Sequence, residues 1–211
     1  MMDFFSELIL KQPDLAECLP DIQQAARILE ACFRASGKLL VCGNGGSAAD
    51  SEHIVGELMK GYRLRRPIPA DLRAHLAEAY PAQGETIADH LQRALPAISL
   101  VSQTSLLTAF INDVAADTVF AQQVLGYGRP GDVLLALSTS GSATNVLQAL
   151  RIARILGLHT IGLTGRHSPQ MKSLCDTAIC VPRDQTPDIQ EGHQAVYHAL
   201  CAQLEERMFG V

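Results

Sequence analysis

The chain has 211 residues, 47% of them hydrophobic and 18% charged, which suits one α/β domain, or one domain with an insertion, and leaves two full domains cramped. Lys and Arg total 17 against 22 Asp and Glu, a formal net charge of -5. That balance offers no positive field to hold a phosphate polymer, so nucleic acid is not an expected partner. No apolar run approaches the roughly 18 residues that cross a bilayer, and Met1 to Leu10 lacks a basic start followed by a cleavage site. A soluble, cytoplasmic protein with no membrane partner is expected.

In chain order, Ile22, Ala25, Ala26, Ile28, Leu29, Cys32 and Phe33 recur at helical spacing within Asp21 to Ala35, with Pro20 at the start and Gly37 past the end. They predict a helix with a buried stripe inside an N-terminal helical segment, residues 1–36. Short β-like runs then alternate with helical stretches: Leu39 to Cys42, Ala97 to Val101, Val133 to Leu137, Thr160 to Leu163 and Ala178 to Val181. Such alternation predicts a parallel sheet wrapped by helices. Arg63 to Pro69 breaks the rhythm and leads into two helix-like pieces, Ala70 to Tyr80 and Gly84 to Leu95, whose apolar faces (Leu72, Leu76; Ile87, Leu91, Leu95) call for burial. They read as a helical insertion, about residues 68–94, resting at the active-site mouth, across a subunit interface or on the outer surface. Asp188 to Met208 closes the chain as a long helix with Val196, Leu200 and Leu204 on one stripe. The six cysteines contain no CxxC pair; reduced, structural thiols and no thiolate zinc site are expected.

Two loops carry chemistry. Leu39 to Ala48 runs from a strand through Gly43, Asn44, Gly45 and Gly46 into Ser47 at a helix start, where backbone N–H groups and the helix dipole favour an anion. A tight turn that binds nothing would look the same. The looser dinucleotide pattern of Gly43, Gly45 and Ala48 lacks the second strand and acidic residue it needs. The second loop, Ser138-Thr139-Ser140-Gly141-Ser142-Ala143-Thr144, follows another strand and carries five hydroxyls in seven residues, more than helix capping requires. Two such loops at one sheet edge can grip one phosphorylated molecule. His53 and Glu57 stand at i, i+4 on one helical face, as metal ligands, an acid/base pair or a plain surface pair. Gln190, Glu191, His193, Gln194 and His198 lie on the last helix, and spacing does not choose among them.

Cys42-Gly43-Asn44-Gly45-Gly46-Ser47, His53 with Glu57, Ser138-Thr139-Ser140-Gly141, Leu163-Thr164-Gly165 and Ile189-Gln190-Glu191 with His193 and His198 together resemble the phosphoheptose isomerases of the sugar isomerase (SIS) domain class. That resemblance implies a doubly wound five-stranded parallel sheet flanked by helices, a homotetramer with active sites between subunits, and a zinc ion in several members. It implies interconversion of sedoheptulose 7-phosphate and a heptose 7-phosphate aldose, D-glycero-D-heptose 7-phosphate, through an enediol. By position, Ser47, Ser138, Thr139 and Ser140 would hold the phosphate, with Asn44 and Asp113 near the sugar and Gly45, Gly46 and Gln190 also in contact with substrate. Glu57 and His198 would transfer protons, and His53, Glu57, Gln190 and His198 would surround the metal. A lone pair given to zinc is not free to accept a proton, so the two roles of Glu57 compete. The chain departs from the family where Ser142 and Ala143 replace an Asn-Ser pair, a loss that Ser142 or Thr144 would have to make good, and where Gly61, flanked by Lys60 and Arg63, stands for an arginine. Two alternatives stay open: isomerisation of another phosphosugar, and a related SIS subfamily that binds the bacterial replication initiator without catalysis. Members of that subfamily lose the acidic residue and the last histidine, which here are Glu57 and His198.

Overall fold

The computed structural model describes residues 3–210; Met1 and Met2, the start of the expected N-terminal segment, and Val211 lie outside the described residues. That segment forms α1 (Phe4–Lys11), a short 3-10 helix (Pro13–Cys18) and α2 (Leu19–Arg34). Pro20 lies in the first turn of α2, where its missing N–H costs nothing. The residue that reverses the chain after α2 is Ser36, at φ 62°, rather than Gly37.

Five strands follow: β1 (Leu39–Cys42), β2 (Ala97–Ser99), β3 (Val133–Ser138), β4 (His159–Thr164) and β5 (Thr177–Cys180). They pair in parallel in the order β2-β1-β3-β4-β5, with Leu39 opposite both Ala97 and Val133. The expected runs and the strands agree to within one or two residues, the largest difference being β2, which stops at Ser99. The core alternates along each strand as a pleat requires. Leu39, Val41, Leu135 and Leu137 face one layer, with α1, α2, α3 (Gly46–Met59) and α10 (Thr186–Phe209). Leu40, Cys42, Leu134 and Ala136 face the other, with α6 (Thr104–Asp113), α7 (Val119–Tyr127), α8 (Thr144–Ile155) and α9 (Pro169–Leu174). Strand order reverses between β1 and β3, and the loops leaving those two strands feed α3 and α8 on opposite faces of the sheet. A crevice opens between them at the strands' carboxyl ends.

The insertion folds as a hairpin of α4 (Ala70–Ala79) and α5 (Gly84–His90). Arg73 ties the two helices together through Glu85 and Asp89, and a Pro67–Gln92 bridge closes the base. The second piece ends at His90 rather than Leu95, because Leu91 turns extended and the chain must reach Pro96. The expected burial of its apolar faces is not met within the chain. Leu72, Ile87 and Leu91 remain 43%, 38% and 47% exposed, and only Leu95, beyond the helix, enters the core.

The closing helix differs from a single-stripe amphipathic helix. Besides Val196, Leu200 and Leu204, it buries Tyr197, Cys201, Ala202, Gln203 and Glu205, since α1, α2 and α3 surround it. Burial pushes the Cys201 and Cys42 thiols up to about 12, which fits inert packing groups. Glu205 is the exceptional burial, a carboxylate with four donors. Its Oε1 accepts from Tyr62 N (2.8 Å) and Arg66 Nε (2.7 Å), and its Oε2 from Arg63 N (2.7 Å) and Leu64 N (3.0 Å). Arg66, equally buried, donates onward to the carbonyls of Leu58 (2.8 Å) and Glu57 (3.4 Å) at the end of α3. Glu205→Ala strands a buried guanidinium and three N–H groups, and should lower unfolding free energy by about 3–5 kcal/mol in urea titrations. Adding Arg66→Met should leave most of that loss in place, because the three backbone donors still lack an acceptor; full recovery in the double variant would contradict this account.

Candidate active site

Local sequence forces the first loop. Gly45 adopts φ 57°, ψ -121°, a region that side chains avoid. Gly46 opens α3 where α10 passes so close that a Cβ would lie 2.2 Å from the Gln190 amide nitrogen. In the second loop, Ser138 Oγ accepts from Gly141 N (3.2 Å), and Ser142 turns its hydroxyl onto Ser140 Oγ (3.0 Å). Asn44 and Asn145 exchange side-chain hydrogen bonds of 2.9 and 3.0 Å and so join the loops.

Between the loops lies a cavity of about 340 Å³ lined by Asn44, Gly45, Gly46, Ser47, Ser138, Thr139, Ser140 and Gln190, with Leu137, Ala143 and Thr186. Eight of the nine residues expected to contact substrate therefore meet in one place. The ninth, Asp113, does not: it ends α6 on the exposed surface, bonded to Asn112 (2.7 Å). Neither Ser142 nor Thr144 makes good the hydroxyl lost at Ala143. Thr186, in the first turn of α10, lines the cavity instead, and nothing in its local sequence marks it. Among the described residues no lysine or arginine lines the cavity, so an anion here would rely on hydroxyls, backbone N–H groups and the starts of α3, α8 and α10.

About two to three turns along α3 and α10 a second cluster forms. His53 Nε2 lies 3.2 Å from Glu57 Oε1 and 3.4 Å from His198 Nε2. Lys60 Nζ approaches Glu57 Oε2 at 3.4 Å, taking the place next to the carboxylate that Gly61 leaves empty. Arg63 turns away to the Phe4 ring and Glu7. Tyr62 stacks over His198 with centroids 6.0 Å apart. Burial, then neighbouring His53, push the His198 imidazole below its ordinary range, against a smaller upward pull from Glu57. The cluster also contains two residues with no signal in the sequence: the Tyr197 hydroxyl lies 3.1 Å from both Asp50 Oδ1 and His53 Nδ1. Burial raises both Asp50 and Tyr197 from their usual ranges.

Of the four expected metal ligands, His53, Glu57 and His198 come together. Gln190 stays against Gly46 in the first cavity, eight residues and so about 12 Å of helix before His198. No group of three or more His, Cys, Asp or Glu side chains among the described residues forms a ready-made cage. Ligand atoms about 2.0–2.2 Å from a tetrahedral zinc are roughly 3.3–3.6 Å apart, so the His53–His198 edge has that length and the His53–Glu57 edge is slightly shorter; two imidazoles and a carboxylate are a donor set that zinc accepts.

An SIS domain model matches residues 9–93 and 73–165. The phosphoheptose isomerase of Rhodospirillum rubrum is 43% identical over 194 residues, 92% of this chain and 89% of that relative, and the one from Akkermansia muciniphila 41% identical over 93% and 90%. The chain belongs to the phosphoheptose isomerase family. Among solved structures, the phosphoheptose isomerase of Neisseria gonorrhoeae superposes with a TM-score of 0.74 at 33% identity, covering 96% of this chain and 95% of that one. The chain is accordingly an isomerase of phosphosugars with the fold the family implies.

Between the two clusters, His193 is fully buried and neither ring nitrogen makes a well-formed hydrogen bond, the Thr164 backbone giving only a smaller upward pull on the imidazole. Burial drives its imidazole down to about 4. An unfolded histidine titrates near 6.5, so the unfolded chain binds the extra proton between these values, and stability falls as pH drops through 6.5 toward 4. Unfolding free energy should lose up to about 1.4 kcal/mol per pH unit in that window. His193→Leu should flatten the profile relative to the parent, as read by urea midpoints between pH 7 and 5; parallel profiles would refute it.

Proposed function

We propose that the chain interconverts sedoheptulose 7-phosphate and D-glycero-D-heptose 7-phosphate. The observation that carries this reading is the separation of the two clusters along parallel helices. His53 and Glu57 stand six and ten residues beyond Ser47 on α3, roughly 9 and 15 Å along the axis, and their side chains lean back toward its start. With carbon–carbon bonds of about 1.5 Å, an extended heptose 7-phosphate places phosphorus roughly 9 Å from C1 and C2. A triose phosphate is too short to span that distance.

In this reading the hydroxyl-lined cavity holds the phosphate and Asn44 and Gln190 orient the chain. Glu57 takes the C1 proton of the ketose and returns it to C2, and His198, kept neutral by burial and by its imidazole neighbour, passes a proton between the two oxygens. His53 and Glu57 would hold a zinc ion, joined by His198 only while that imidazole carries no substrate proton; when bound, the ion would polarise the carbonyl. The two oxygens of Glu57 face different partners, Oε1 toward His53 and Oε2 toward Lys60, which separates the competing demands on the carboxylate.

Glu57→Gln keeps the shape and removes the base. Turnover of sedoheptulose 7-phosphate should fall by about two to four orders of magnitude, with substrate affinity in equilibrium binding largely kept. Unchanged turnover would reject Glu57 as the base; a wild-type protein that binds phosphosugars and isomerises none would favour the non-catalytic alternative.

A zinc-bearing homotetramer completes the reading. Exposed Leu106 and Ile111 on α6, with Val114 just past its end, supply apolar surface for association. Native mass spectrometry of protein purified without chelator should show a tetramer with one zinc per chain. A fully active monomer, or full activity without metal, would remove the corresponding part.

A further inference from the structure

The Tyr197 hydroxyl has one hydrogen to donate and two lone pairs. Asp50 Oδ1 at 3.1 Å belongs to a carboxylate, which only accepts, so the hydrogen goes there. The remaining contact, 3.1 Å to His53 Nδ1, must then be made by a hydrogen on the imidazole. The Gln194 amide, the other polar neighbour of the hydroxyl, can donate to the second lone pair without disturbing this order. Neutral His53 therefore carries its proton on Nδ1 and presents a bare lone pair at Nε2. That is the atom facing Glu57 Oε1 and His198 Nε2.

We infer that Asp50 and Tyr197 form a positioning relay that fixes the His53 tautomer and keeps a hydrogen out of the short His53–Glu57 contact, leaving both atoms to a cation. The pair is otherwise drawn to close. A carboxylate 3.2 Å from an imidazole nitrogen favours the tautomer whose hydrogen lies between them, and that hydrogen would occupy both the Nε2 lone pair and the Glu57 oxygen. The relay opposes this from the far side of the ring. It spans the helix interface, since Asp50 precedes His53 by one turn on α3 and Tyr197 comes from α10. Tyr197 is 1% exposed and the hydroxyl is its only polar group, so water is a poor substitute for its partners. Outer-sphere partners of this kind orient metal-binding histidines.

The inference rests on the proposed function only for its catalytic consequence; the tautomer and the ion affinity belong to the resting protein. The test uses the full chain, dialysed against chelator and labelled with ¹⁵N. Long-range ¹H–¹⁵N correlation spectra should show wild-type His53 protonated at Nδ1. In Tyr197→Phe the proton should move toward Nε2, and the affinity for Zn²⁺ alone, measured against a chromophoric chelator, should fall about 10–100-fold. Affinity for inorganic phosphate should stay unchanged. Asp50→Ala provides a second route, because it frees the hydroxyl to donate to Nδ1 and should shift the tautomer in the same direction. A folded variant that keeps both the Nδ1 tautomer and the zinc affinity overturns the relay. A wild-type protein that isomerises no phosphosugar, with the tautomer shift intact, overturns the proposed reaction and leaves the relay standing.

Discussion

The parallel pairing of α3 with α10 is the constraint from which the site follows. It is fixed at three levels: Gly46 against Gln190, Asp50 and His53 against Tyr197, and the end of α3 against Glu205 through Arg66. A slip of one residue rotates a helix by about 100°, which would carry His198 off the face that meets His53. The lowest of the three levels is the costliest to misplace. Arg66 and Glu205 both lose their hydration, and attraction alone repays that loss poorly. Three backbone N–H groups on one carboxylate, two carbonyls on one guanidinium and the Phe209 ring 4.7 Å from it complete the set in one register only. The pair contributes more to alignment than to net stability, and alignment is what proton transfer needs.

Much of this was legible in the chain, for reasons of period and spacing. Strands buried on both faces read as short continuous apolar runs, so all five could be placed without a partner in view. Glycine and hydroxyl loops at strand ends marked the phosphate cavity, because the local backbone itself builds it. His53 and Glu57 were readable because they share one helix. The pairs that cross the interface were hidden for the converse reason. Glu205 resembles any solvated charge near a helix end, and Tyr197 resembles a core aromatic beside a histidine. Asp50 and Thr186 acquire roles only once a distant element arrives. Asp113 rests on the resemblance alone: it lies exposed at the end of α6, away from the cavity of its own chain, where only a site shared between subunits would bring it to the sugar. The insertion shows the same limit. Its stripes were real and helical, but period alone does not say that a buried surface lies opposite them.

The two clusters divide their electrostatic work. In the proposed reading the first cavity would hold phosphate with neutral donors and helix starts, whose partial charges fall away within a turn, since no cationic side chain among the described residues lines it. The proposed reaction centre, about two to three turns away, gathers a carboxylate, two imidazoles and Lys60. A lysine or arginine in the first cavity would hold a phosphate more tightly in ground state and transition state alike, and such uniform binding does not speed the chemical step. Short-range neutral donors fix one end of an open-chain sugar and leave the field at its reacting carbons to be set locally. In the proposed reaction the helix length between the clusters acts as a ruler: the phosphate would anchor the chain, and the distance to Glu57 would decide which carbon it meets.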